Sequence, residues 1–151
     1  MLDHPGTRTE ITQLIAADPT STALLLAGPT AFELWPGVQR IKDVDGGMVV
    51  EAVLDPERTV DANVRAMPPK RTPTSFVTRF TWSGPGLPAT TGELTLAAAP
   101  SRDGERATHA VLVLLSEGLE FSALNGCQLE AMARGFLANL ARAAELRNRA
   151  A

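Results

Sequence analysis

The chain has 151 residues, of which 44% are hydrophobic and 21% charged, and its formal net charge is −3. That length fits one domain whose core needs no metal or disulfide staple, and the balance excludes disorder as the default state. No long basic run is present to neutralise phosphates, tyrosine is absent, and Trp35 and Trp82 are the only tryptophans, so no nucleic-acid surface is expected.

The single cysteine, Cys127, cannot form an internal disulfide and suits a reducing cytoplasm. The densest early apolar run, residues 23–27, is far shorter than the roughly 20 residues a spanning helix needs. The opening MLDHPGTRTE has neither a basic n-region nor an apolar h-region. Neither stable membrane insertion nor a secretory signal is therefore expected.

In chain order, residues 1–6 read as a loose end that carries His4. Residues 7–17 read as a first strand, stopped at Asp18-Pro19 because proline cannot donate to a ladder. Thr20 or Ser21 is placed to cap a short helix over residues 22–27, closed by Gly28-Pro29, and a second short turn covers residues 30–35 up to Pro36-Gly37. Residues 38–44 and 48–54 flank Asp45-Gly46-Gly47, a hairpin signal. Val60, Ala62, Val64 and Ala66 alternate with Asp61, Asn63 and Arg65, which marks a half-buried strand over residues 59–67.

Residues 68–73, PPKRTP, read as a rigid, basic connector. Residues 74–83 alternate again, with Phe76, Thr78, Phe80 and Trp82 on one face and Arg79 on the other. Residues 89–99 place Leu94, Leu96 and Ala98 opposite Glu93 and Thr95, and Arg79 and Glu93 are expected to pair across neighbouring strands. Residues 108–116 are apolar on both faces, which predicts a central or helix-covered strand. Last comes a long amphipathic helix over residues 122–148. Its stripe is Leu129, Met132, Ala133, Phe136, Leu140, Ala143 and Ala144, with Glu130, Arg134, Asn139 and Arg142 on the other side. Asn125 and Gln128 fit a capping box, and Ser122 is an earlier alternative start.

The order is thus strand, two short helices, six strands and a long helix, an α+β chain with short turns that imply antiparallel neighbours. That order resembles the helix-grip fold of the START-like superfamily. This group includes polyketide cyclases/dehydrases, plant pollen-allergen ligand binders and lipid-transfer domains. Residues 15–19, IAADP, resemble the end of the family's first strand; residues 32–38, FELWPGV, resemble its aromatic–Pro–Gly–Val passage into the second; Asp45-Gly46-Gly47 resembles the following hairpin. The resemblance implies one domain over residues 1–151, with a seven-stranded antiparallel sheet wrapped around the C-terminal helix. It also implies a cavity between the two for lipids, polyketides or quinone-like molecules.

The candidate cavity residues are Leu25, Phe32, Trp35, Val50, Leu54, Val64, Phe76, Thr78, Phe80, Trp82, Leu94, Leu96, Met132, Phe136 and Leu140. Periodicity alone leaves them equally a cavity wall or a filled core. Phe32 and Trp35 would sit at the mouth in this family, with residues 24–26 as a lid. His109 is the interior candidate for acid–base work, if its face is the cavity face, and Thr78 and Gln13 could orient a ligand. The alternative for His109 is a partly solvated strand end.

Two histidines and one cysteine, far apart, make no metal site, and no cofactor motif is present. Lys70-Arg71 reads as a solvated turn or an anion contact, and Cys127 as a buried thiol or one activated at a helix start. The sequence therefore points to a cytoplasmic protein that binds a hydrophobic or amphipathic small molecule. The alternatives are a cofactor-independent polyketide cyclase/dehydratase and a protein-interaction module with a filled core. A homodimer is compatible with each.

Overall fold

The computed structural model describes residues 7–26, 29–44, 47–55, 57–67, 69–84, 87–99, 107–116 and 126–150. It contains β1 (Thr7–Ile15), α1 (Pro19–Leu24), a 3-10 helix (Pro29–Leu34), β2 (Val38–Val44), β3 (Gly47–Asp55), β4 (Arg58–Ala66), β5 (Lys70–Arg71), β6 (Ser75–Gly84), β7 (Leu87–Ala99), β8 (Ala107–Ser116) and α2 (Gly126–Ala150). The antiparallel sheet runs β1-β8-β7-β6-β4-β3-β2, with β5 paired to β6 off that path. The seven long strands and the long terminal helix agree with the sequence. The connector over residues 68–73 differs, because it contains the short strand β5.

Side-chain alternation decides which face each strand buries. In β8, Thr108, Ala110, Leu112, Leu114 and Ser116 are buried, whereas His109, Val111, Val113 and Leu115 face outward and are half-buried or exposed. In β6, Thr78, Phe80 and Trp82 point inward and Arg79 and Thr81 outward. Arg79 stands opposite Glu93 in the register, and its Nε donates to Glu93 at 2.9 Å, the pair read from the sequence.

α1 begins earlier than its pattern suggested. Asp18, not Thr20 or Ser21, is the cap: its carboxylate accepts from the Ser21 amide at 3.3 Å and from the Ser21 hydroxyl at 2.6 Å. Pro19 then occupies the first turn, where its missing N–H costs nothing. Asp18-Pro19 therefore starts a helix as well as ending a strand. The β1–α1 link is fastened at both sides. The buried Thr108 hydroxyl donates to the Ala17 carbonyl at 2.7 Å, and the Ala16 amide donates to Glu145 of α2 at 3.0 Å.

α2 packs on β1, α1 and the 3-10 helix. Its buried arc is wider than the expected stripe, since Leu137 and Ala141 are buried as well. A helix gripped on three sides needs more than one narrow apolar face. Asn139, assigned to the solvent side from the sequence, instead donates to the Leu34 carbonyl at 2.7 Å and ties α2 to the 3-10 helix. Residues 122 and 125, the proposed helix starts, lie outside the described residues.

Candidate functional site

The interior between sheet and helix is built around Trp35. The 3-10 helix ends just before it, and Gly37 turns the chain with φ 74°, a conformation L side chains rarely adopt. The Val53 amide donates to the Gly37 carbonyl at 2.9 Å, so this turn is pinned to β3. On the helix side, a Cβ on Gly135 would collide with Pro36, so glycine there lets the turn approach α2.

Trp35 stacks on Phe136 of α2 with centroids 4.5 Å apart and an 11° interplanar angle. It meets Phe80 edge-on at 5.8 Å and Trp82 tilted at 5.0 Å, and Phe80 and Trp82 meet edge-on at 6.5 Å. These offset and edge-to-face geometries suit the ring quadrupoles. Phe80 is opposite Gly92 in the register, and any Cβ on Gly92 would collide with the Phe80 ring. The bare glycine is thus the floor on which that ring lies. Across the sheet, Val50, Ala52, Ala62 and Val64 are buried with small side chains, so bulk in this region comes from β6, α2 and Trp35.

The sequence-derived set falls into three groups. Trp35, Val50, Val64, Thr78, Phe80, Trp82, Leu94, Leu96, Phe136 and Leu140 are all buried in one core, against which Leu25, Phe76 and Met132 pack while partly exposed. Phe32 and Leu54 belong to the 3-10 helix and β3, but their side chains lie outside the described residues. His109 does not join the others. It is exposed, opposite Leu14 of β1 and Ala97 of β7 on the outer face. β8 is apolar at both parities, so alternation alone gave no face for His109; Thr108, Ala110 and Leu112 took the inner one.

Polar groups in the interior are few and already engaged. The Thr78 hydroxyl donates to the Met67 carbonyl at 2.9 Å, and Thr90 and Ser116 share a buried hydroxyl contact at 3.0 Å. Gln13 shares the inward parity of Ile11 and Ile15, is half-buried, and donates to the Leu14 carbonyl at 3.2 Å. Among the residues whose side chains are described, no Asp, Glu, His, Lys or Arg is buried, and no group of metal-ligating side chains converges. Sequence reading missed the Gly92–Phe80 fit and the Asn139 tie, since both depend on cross-element neighbours.

Two shallow recesses lie elsewhere on the surface. One of about 400 Å³ is bordered by Met48, Asn63, Val64, Arg65, Thr81 and Ser83, and one of about 300 Å³ by Arg8, Arg79, Gly92, Glu93, Val113 and Leu115 among others. None of the four rings of the aromatic cluster lines either recess.

No protein-family model matches the chain, and no curated protein matches it in sequence. Solved structures do share its fold. StfQ, a di-domain aromatase/cyclase of the steffimycin biosynthetic pathway, superposes with a TM-score of 0.61 at 20% identity, over 93% of this chain and 46% of StfQ. A START superfamily protein from Mycobacterium smegmatis gives a TM-score of 0.54 at 16% identity, over 94% of this chain and 97% of that one. Ara h 8.0201 gives 0.63 at 16% identity, over 92% of this chain and 97% of that one. The chain therefore has the START-like helix-grip fold.

Proposed function

We propose that this protein binds a hydrophobic or amphipathic small molecule between the sheet and α2, against the cluster of Trp35, Phe80, Trp82 and Phe136. The observation that carries this reading is the chemistry of that interior. Four aromatic rings are gathered there in mutual contact, and no described buried side chain is ionisable. Apolar burial at roughly 25 cal/mol per Å² supplies affinity, and ring stacking favours a flat or polycyclic body such as a polyketide or quinone. The fold shared with a START superfamily protein and with an aromatase/cyclase supports the same direction.

Binding is favoured over turnover because the described interior supplies hydroxyls already donated to backbone carbonyls, and no acid–base pair. The outward His109 does not serve as a general base for a molecule held against the rings. No described helix is long and apolar enough to cross a membrane.

The test combines native mass spectrometry with intrinsic fluorescence. The chain has no tyrosine, and both tryptophans belong to the cluster, so emission reports on this site alone. An extra mass that leaves on organic extraction, together with shifted tryptophan emission on its return, is the expected result. A bare mass and emission indifferent to every apolar probe would reject binding and favour a filled-core interaction module.

A further inference from the structure

The basic pair Lys70-Arg71 lies apart from the aromatic cluster, on the short strand β5. β5 pairs with β6 so that Lys70 is opposite Val77 and Arg71 is opposite Phe76. Directly opposed residues of an antiparallel pair project from the same face. Phe76 has the parity of Thr78, Phe80 and Trp82, the inward face of β6. Arg71 is therefore on the inward-facing side of the sheet, whereas Lys70 is on the outer side.

The place is also where the sheet is thinnest. β4 pairs with β6 only from Phe80 to Ser83, so the first half of β6 is flanked on that side by the two residues of β5 and by Met67, whose amide donates to the Arg79 carbonyl at 2.9 Å. Phe76 is only half-buried there, although its partner on β7, Leu96, is 1% exposed. Phe76 is thus one of the partly exposed side chains at the border of the core, and Arg71 stands beside it.

Arg71 is held on a stiff turn. The Thr72 amide donates to the Ser75 carbonyl at 2.7 Å, and the Thr72 hydroxyl accepts from the Ser75 amide at 2.9 Å. That hydroxyl also lies 2.7 Å from the Ser75 hydroxyl. Arg71 itself is exposed, and no described carboxylate pairs with it. An exposed guanidinium on an anchored backbone, with no described carboxylate partner and beside a half-buried apolar side chain, is suited to a planar anion.

We infer that the ligand is an amphiphile with a carboxylate head, its apolar body against the aromatic cluster and its carboxylate on Arg71. A monoanion is specified because β5 turns one cation inward and the other outward. This inference rests on the binding function proposed above and adds the charge and orientation of the ligand.

The experiment compares pyrenebutyrate with its uncharged methyl ester, by tryptophan emission, in the native protein and in Arg71→Gln and Lys70→Gln. The native protein should bind the acid roughly three- to tenfold more tightly than the ester, in keeping with one partly solvated charge-assisted bond. Arg71→Gln should remove that preference, leave ester affinity unchanged and preserve the circular dichroism spectrum; Lys70→Gln should do neither harm. Equal binding of acid and ester overturns the head-group assignment but leaves the binding function standing. A preference abolished by Lys70→Gln and kept in Arg71→Gln overturns the choice of residue. Failure of both probes to perturb emission overturns this inference and removes the support for the binding function as well.

Discussion

Two parts of the interior are packed differently. Leu129, Leu137, Leu140 and Ala144 of the helix, with Ile15 of β1 and Leu112 and Leu114 of β8, have no accessible surface. Phe136, one turn before Leu140 on the same stripe, and its ring neighbours Trp35, Phe80 and Trp82 retain 3–8%. The partly buried apolar residues that border the core, Leu25, Leu26, Leu34, Val60, Phe76 and Met132, come from α1 and its exit, the 3-10 helix, β4, β6 and α2, and none from β1 or β8. A sealed aliphatic half therefore holds the helix to the sheet, while the aromatic half is bordered by side chains that water still reaches. Interiors pack to crystal-like density where stability alone is selected. The difference suggests that the aliphatic half carries the frame and the aromatic half the site.

The largest effect that would test this division is in the frame. Leu137→Ala removes a fully buried side chain facing a crowded surface and should cost about 2–5 kcal/mol in urea denaturation. Probe affinity, measured where the variant is still folded, should hardly change. A matching loss of affinity would mean that the two halves are not separable.

Next is the floor of the aromatic half. Gly92→Ala forces a methyl group into the Phe80 ring and should cost about 1–3 kcal/mol by overpacking. Adding Phe80→Leu should recover part of that loss, because a smaller side chain clears the new methyl. The double-mutant cycle measures the coupling directly. Purely additive losses would mean that the ring moves aside freely and the glycine is not its seat.

Most of this architecture was legible in the sequence because strand alternation is strict wherever one face is wet. Residues 59–67 and 74–83 gave strands to within a residue at each end and the Arg79–Glu93 pair, and their faces except at Ala66, which shares the inward parity but is exposed. Legibility failed where alternation carried no contrast. β8 is apolar at both parities, so His109 could be assigned to either face, and its outward position became visible only in the register with Leu14 and Ala97. It also failed where one residue has two uses. Asp18-Pro19 stops a strand and caps a helix, and only the second use is evident from the Asp18–Ser21 bonds. Arg71 was readable as a charge but not as an inward charge, since a two-residue strand has no periodicity of its own.

A smaller effect bears on the hinge between the halves. Asn139→Ala removes the bond to the Leu34 carbonyl, which holds the 3-10 helix and so Trp35 against α2. It should cost about 1 kcal/mol and loosen the Trp35–Phe136 stack, read as a red shift in emission. An unchanged spectrum would place the burden of holding Trp35 on the Gly37–Val53 turn instead.

The smallest effect belongs outside both halves and serves as their baseline. Arg79 and Glu93 pair at 2.9 Å on the outer face, with side chains 67% and 46% exposed. Water screens both charges, and two long side chains lose freedom in making the pair. Arg79→Ala should therefore change stability by at most about 1 kcal/mol, and less at high salt. It should also leave tryptophan emission and probe affinity untouched, since Phe80 and Trp82 point to the opposite face of the same strand. A change in probe affinity here would mean that the outer face is coupled to the interior through β6. The separation of frame from site would then have to be drawn along strands rather than between two parts of the interior.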